Sequence, residues 1–220
     1  MQGKYDKRAD KQQIAPHIYE RIMGGKPYLD AVVEDAADFL KPYAKNIVVI
    51  GDGNHEASIA GRHETDLLER VCGLLNAKTG STIQHSGYTG WIRLQFARNQ
   101  QRMSRRLWFM HGYGGGGPVT QDMIQAQRQR AYIHNADIMV NGHTHDAWSL
   151  ENIGIRLNDA GKIEHRTIHQ IKTPTYKDEY KEGKGGWHVA TGKPPKPLGG
   201  WWIRFSIEDH NIKTSVIRAD

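Results

Sequence analysis

Asn46-Ile47-Val48-Val49-Ile50-Gly51-Asp52-Gly53-Asn54-His55-Glu56 sets an apolar, β-branched run against a glycine-flanked turn holding an amide, an imidazole and a carboxylate. The run reads as a buried parallel strand, continuous rather than alternating because both faces would be covered. The plan recurs twice downstream. Arg105-Arg106-Leu107-Trp108-Phe109-Met110 runs into His111, and Ala136-Asp137-Ile138-Met139-Val140 runs into Asn141-Gly142-His143-Thr144-His145. In open α/β sheets, ligand sites lie outside the carboxyl ends of strands. Three strand ends that each deliver metal-ligating residue types therefore predict a site rather than three accidents of packing.

Working outward, Leu29, Val32, Val33, Ala36 and Leu40 recur at helical spacing from Pro27, and Pro42 should stop that helix. A short helix is expected over Ile14–Met23, ended by Gly24-Gly25, and a further amphipathic helix over Glu64–Asn76. Residues 77 to 90 read as a turn-rich connection. Trp91–Arg98 alternates and pairs as a hairpin with Arg105–Met110. After His111, Gly114-Gly115-Gly116-Gly117 excludes regular structure and lets backbone amides approach a ligand. Pro118 opens a helix expected to reach about His134. Trp148–Leu157 and Lys162–Lys172 form a hairpin turning at Asn158-Asp159-Ala160-Gly161, and Trp201–Glu208 with Ile212–Arg218 a second one. The sum is an α/β (α+β) chain, one domain over residues 1–220. Within it, residues 1–26 are a basic arm or loop, and a long Pro/Gly/Lys loop spans 173–200, of the kind that is functional or mobile.

Composition bounds the function. The 220 residues carry a net charge of +6, which favours anionic partners such as phosphate esters or nucleic acid. No apolar run reaches the roughly 18 residues of a membrane span. No hydrophobic stretch follows Met1–Arg8, so no secretory leader is expected. The single cysteine, Cys72, lies in the apolar pattern of Leu68, Val71, Leu74 and Leu75 and reads as a buried hydrophobe in a cytoplasmic protein. Twelve histidines are many, and they matter where they cluster at strand ends. In His143-x-His145 the preceding Gly142 allows a sharp turn that faces both rings to one point. His111 adds a third ring, and Asn54 with His55 a fourth element of the same kind. Nitrogen ligands with an amide oxygen suit Mn, Fe, Zn or Ni better than Ca or Mg.

Gly53-Asn54-His55-Glu56, the lone His111 before Gly112, and Gly142-His143-Thr144-His145 resemble, in order and spacing, the last three motifs of the calcineurin-like metallophosphoesterase superfamily. The resemblance spans about residues 46–148, and the glycine run after His111 is similar to that of phage and prophage members. It implies a two-layer β-sandwich flanked by helices, with two metals at the strand ends. It implies Asn54, His111 and His143 as ligands of one metal and His145 of the other. It implies His55 as the residue that hydrogen-bonds the phosphoryl oxygen or protonates the leaving group, with metal-activated hydroxide attacking in line.

The family's first two motifs, Asp-x-His and Gly-Asp-x-x-Asp, have no counterpart: Gly51-Asp52 is the only Gly-Asp pair, and His55 stands three residues on. We expect these motifs upstream of Met1. A degenerate member binding one metal or none, or Asp52 taking the bridging role, are the alternatives. Among lesser candidates, Arg93, Arg98, Arg102, Arg105 and Arg106 crowd one hairpin without an acid nearby in sequence. Arg93, Arg105, Arg106 and Tyr113 are candidates to contact substrate phosphate or nucleic acid. Trp187, His188, Trp201 and Trp202 either stack bases or pin the 173–200 loop. The expected function is metal-dependent hydrolysis of a phosphomonoester or phosphodiester. A catalytically impaired module of the same fold, binding nucleic acid or a protein partner, is the competing expectation.

Overall fold

The computed structural model describes residues 14–180, 186–208 and 211–219. The chain is a mixed α+β protein that divides into two compact units, Met1–Thr89 and Gly90–Asp220. The charged stretch before residue 14 and the Asp209-His210 turn of the last hairpin lie outside the described residues.

The first unit strings together α1 (Pro16–Met23), α2 (Tyr28–Leu40), a 3-10 segment (Lys41–Asn46), β1 (Val49–Gly51), α3 (Asn54–His63), α4 (Leu67–Thr79) and β2 (Gln84–Ser86). Its core is the facing stripes of α2 and α4. Val33 and Ala37 meet Leu67, Val71, Cys72 and Leu75, with Ile59 and Ile83 closing the ends. Each fully buried aliphatic side chain there contributes about 1.5–3 kcal/mol. Ion pairs Arg70–Asp30 and Lys78–Asp38 cross between the same two helices at the surface. Helix α4 is capped at both ends. The Asp66 carboxylate accepts from the Glu69 N–H at 2.9 Å, and Gly80 takes φ +68° at the C-cap.

The expected helix from Pro27 ends as an α-helix at Leu40, and Pro42 diverts it into the 3-10 segment. The expected strand over 46–50 is shorter and less covered than its apolar run suggests. β1 pairs in parallel with β2 alone, and Val48 is 63% exposed. Ile47 and Ile50 pack on the helical core, so one face of the run is used rather than two.

The second unit holds β3 (Thr89–Arg98), β4 (Gln101–Met110), α5 (Met123–Gln129), β5 (Ile138–Asn141), β6 (Trp148–Leu157), β7 (Ile163–Lys172), α6 (Trp187–Ala190), β8 (Gly200–Glu208) and β9 (Asn211–Ala219). Five strands form one sheet in the order β3-β4-β5-β7-β6, and β8-β9 form a separate hairpin. Phe205 of β8 lies against Phe96 of β3, ring centroids 5.0 Å apart. Arg105 of β4 reaches the Ile212 carbonyl of β9. The β6–β7 hairpin turns where expected: Asn158 Oδ1 accepts from the Ala160 and Lys162 N–H groups, and Gly161 takes φ +72°.

The helix expected over 118–134 is only the seven residues of α5. Gln121 and Asp122 take φ +45° and +66°, which no α-helix continues through.

Candidate functional site

In the second unit, β4 and β7 both run parallel to β5. Met110 stands beside Asn141, and Asn141 beside Lys172. Three strands thus end at one level, and the residues after them share a rim: His111, Gly142-His143 and Thr173. The rim is tight. A Cβ on Gly112, at φ +100°, would stand 3.0 Å from the Gly142 carbonyl oxygen and 3.2 Å from the His143 Cβ. Thr144 N–H donates to the Gly142 carbonyl at 3.0 Å around His143, which has φ +77°. That is the strained, rarer form of γ-turn. His145 is also left-handed, at φ +61°. Two histidines held at positive φ cost of order 1–3 kcal/mol each, a strain typical of functional positions.

The turn brings His111 and His143 together. Their rings meet edge to face with centroids 5.1 Å apart, and His111 Nε2 lies 3.1 Å from His143 Nδ1. Two such nitrogens either share a proton or present their lone pairs to one cation. His145 does not stack on this pair. Its ring lies 5.9 Å from that of His188, delivered by α6 out of the long loop. Burial, then the neighbouring His188 ring, pushes the His145 pKa below its ordinary value. Burial does the same for His188. Both shifts favour the neutral ring.

Under this rim lies a buried layer of charge. The Lys172 ammonium, 0% exposed, contacts Asp122 Oδ2, and Lys196 contacts Asp146 Oδ1. Burial pushes the Lys172 pKa down, against the pull of Asp122. Asp146 Oδ2 sits where a Cβ on Gly116 would be 2.6 Å away, which ties the glycine run to the residue after His145. Trp148 Nε1 donates to the Gln121 carbonyl at 2.9 Å, and Trp201 Nε1 to the Lys172 carbonyl at 2.8 Å. Asn141 is 2% exposed, and among the described residues neither its amide oxygen nor its amide nitrogen has a hydrogen-bond partner.

In the first unit, Asn54 and His55 occupy the first turn of α3, behind the N-cap Gly53. Asn54 is exposed and His55 half-buried. At the end of β1, Asp52 Oδ1 lies 2.9 Å from His85 Nε2, and Asp66 Oδ1 lies 3.7 Å from the same nitrogen. Among the described residues these three are the one set of three His, Cys, Asp or Glu side chains whose ligand atoms all fall within 4.8 Å of one another. The hydrogen bond between His85 Nε2 and Asp52 Oδ1 satisfies those two groups without an ion.

The arginine hairpin is partly committed. Arg106 donates from its backbone N–H and from Nε to Asp137 Oδ2, at 2.7 and 3.4 Å, and Arg166 takes the other oxygen of the same carboxylate. Arg105 is tied to β9, while Arg93 and Tyr113 are exposed. Trp202 is 68% exposed, Trp201 carries the Arg218 guanidinium over its ring, and the Trp187 side chain lies outside the described residues.

Sequence reasoning singled out His111, His143 and His145, which lie on or beside this rim. It missed His188, Asn141, Asp122, Asp146, Lys172 and Lys196 as neighbours of the rim. The Asn141-Gly142-His143-Thr144-His145-Asp146 run contained part of the signal. Lys172 carried none, since it reads as the end of a solvated strand. Among the described residues, no helix is long and apolar enough to cross a membrane. No protein-family model matches the chain, and no curated protein matches it.

Proposed function

We propose that the chain is a metal-dependent phosphoesterase of the calcineurin-like type, built as that family's helix-flanked two-layer sandwich and hydrolysing a phosphomonoester or phosphodiester. The observation that carries the reading is the His111–His143 pair, two imidazole nitrogens 3.1 Å apart at the ends of adjacent parallel strands. The donor set fits a transition cation. Both groups are nitrogen ligands, the backbone is strained to present them, and the buried Asn141 amide beside them in the chain has unmatched hydrogen-bonding capacity. His111 and His143 would hold the ion, which supplies Lewis-acid activation of a phosphoryl oxygen and of water.

This chain's own residues do the rest. Gly112 and Gly142 fix the ring positions by leaving no room for a side chain. His145, whose burial favours the neutral ring, offers a second imidazole lone pair in the same turn. The roles of Asn54 as a ligand and His55 as proton donor to the leaving group rest on the sequence pattern. Two metals, of the Mn, Fe, Zn or Ni class, and a nucleic-acid substrate remain part of the proposal at the same level.

The test is a titration of the metal-free chain with Mn²⁺ or Zn²⁺ by calorimetry, alongside turnover of an aryl phosphodiester. Saturable binding that weakens at least tenfold in His143→Ala and in His111→Ala is expected, because removing one of a few ligands costs at least that much. Parent-like metal affinity in both variants would overturn the reading. His55→Ala should lower turnover while leaving metal affinity unchanged.

A further inference from the structure

The net charge of +6 is not spread over the chain. The first unit carries 11 Lys and Arg against 12 Asp and Glu, and the second 19 against 12, so the whole positive excess lies in Gly90–Asp220. Part of it is gathered on one face of the five-stranded sheet. Successive strand residues point to opposite faces, and printed contacts fix which is which on β3 and β4. Phe96 packs on Phe205, Arg98 Nη1 donates to the Ile207 carbonyl at 3.4 Å, and Arg105 reaches β9, so these side chains face the β8–β9 hairpin. Trp91, Arg93 and Gln95 of β3 therefore share the other face with Arg102 and Arg106 of β4. Helix α5 lies over the carboxyl-end part of that face, where Gln129 Nε2 is 3.6 Å from Met110 Sδ and Gln170 Nε2 donates to the Ala126 carbonyl at 2.8 Å. The β3 side is open: Trp91 is 52% exposed, and Arg93, Gln95 and Arg102 are exposed.

The charges on this face do not cancel. Asp137 takes Arg106 on one oxygen and Arg166, from β7, on the other, at 3.4 and 2.9 Å. One carboxylate between two guanidinium groups leaves a surplus, and Arg93 and Arg102 add to it with no ion pair among the described residues. Farther across the sheet, Arg156 and Glu164 neutralise each other at 2.7 Å. Such a surface attracts a polyanion. The guanidinium fork matches phosphate oxygens, and an exposed indole offers a flat face on which any base stacks. A duplex groove admits a helix or a two-stranded ribbon, not a face of a wider sheet. A single strand can lie across such a face with its bases turned onto an aromatic ring.

We propose that the open β3–β4 face binds single-stranded nucleic acid, with Arg93 and Arg102 on backbone phosphates and Trp91 stacked on a base. Arg106, committed to Asp137, adds to the field without offering a free fork. Arg102 stands near the start of β4, whereas His111 follows its end. Neither the surface nor its occupant depends on the phosphoesterase reading. An acidic protein segment would be drawn by the same charge, but guanidinium groups beside an exposed indole favour a ligand that carries both phosphates and flat bases.

The experiment is a fluorescence-anisotropy titration of a labelled oligothymidylate with the full chain, in chelator-containing buffer at a series of salt concentrations. Saturable binding that weakens as salt rises is expected. Arg93→Gln and Arg102→Gln should each weaken it at least fivefold and reduce the slope of log affinity against log salt by about 0.7. Trp91→Ala should weaken it at least fivefold with the slope unchanged, because stacking releases no counterions. Lys162→Gln, at an exposed lysine in the β6–β7 turn, should bind as the parent does. All the substituted side chains are exposed, so the variants should melt with the parent. No saturable binding by the parent at low salt, or parent-like affinity in the Arg93→Gln/Arg102→Gln double variant, would overturn the surface. A silent Trp91→Ala, equal displacement of the oligonucleotide by polyglutamate, or tighter binding of a blunt duplex would each overturn the occupant. His143→Ala should lose Mn²⁺ and keep its oligonucleotide affinity, so either reading can fail alone.

Discussion

β1 and β5 begin from the same local plan, an apolar run delivering a glycine, an asparagine and a histidine, and the fold treats them differently. β1 has one partner strand and leaves Val48 63% exposed. β5 lies between β4 and β7, with Ile138 and Met139 at 0%. After β1 the chain enters an ordinary helix, with Gly53 extended at φ −103° and Asn54 and His55 in the first turn. After β5 it is forced through two left-handed histidines. The difference lies in the neighbours. Parallel strands on both sides of β5 bring His111 and Thr173 against Gly142, and only a tight turn fits between them. A motif becomes a strained, crowded turn where flanking strands press on it, and stays a helix start where they do not.

Four comparisons would break or sharpen that contrast. The largest effect is expected at the charged layer beside β5. Lys172→Met strands the buried Asp122 carboxylate and should cost about 3–5 kcal/mol in a denaturant melt, whereas Lys78→Met at the surface pair with Asp38 should cost under about 1 kcal/mol. Equal losses would show that the β5 side is no more constrained than the helical unit.

The strands themselves come next. Ile138→Ala should destabilise by about 2–5 kcal/mol, and Val48→Ala by less than about 0.5 kcal/mol. A large loss at Val48 would mean that β1 is covered in solution. Third, Gly112→Ala meets both a left-handed φ and a carbonyl at 3.0 Å, for an expected cost of about 2–3 kcal/mol. Gly53→Ala removes only a preferred N-cap residue and should cost about 0.5 kcal/mol.

The smallest expected effect is on pH dependence. His145, His169 and His188 all have pKa values lowered by burial from the ordinary 6.5. The unfolded chain therefore binds their protons first as pH falls. Stability from these residues is complete above about pH 6.5, declines as pH drops through that value, and levels off below the folded pKa values. Thermal melts between pH 8 and 5 should show the loss, and His145→Gln with His188→Gln should flatten it. A melting temperature independent of pH over that range would contradict the burial of these rings.

What was legible in the sequence was local. The Asn158-Asp159-Ala160-Gly161 turn fixes its hairpin by hydrogen bonds within five residues, so β6 and β7 fall where the alternation puts them, to within a residue. The Asp66 cap and Gly80 bound α4 by equally local means, yet the expected Glu64–Asn76 set both its start and its end three residues early. The α5 segment failed because its break is not local: Asp122 is held by Lys172, 50 residues away in the chain. The same is true of Asp52 with His85, 33 residues apart, and of Arg106 with Asp137, 31 apart, which removed the impression of an arginine hairpin without acids.

By itself, then, the sequence determined that strand ends would carry His111, His143 and His145, because glycine placement and apolar runs act over a few residues. Only the tertiary structure decided which of them would meet. Parallel pairing of β4 with β5 put His111 on His143, and the long loop after β7 put His188 on His145. Those contacts depend on register and on a loop's return path, which no short stretch of residues encodes.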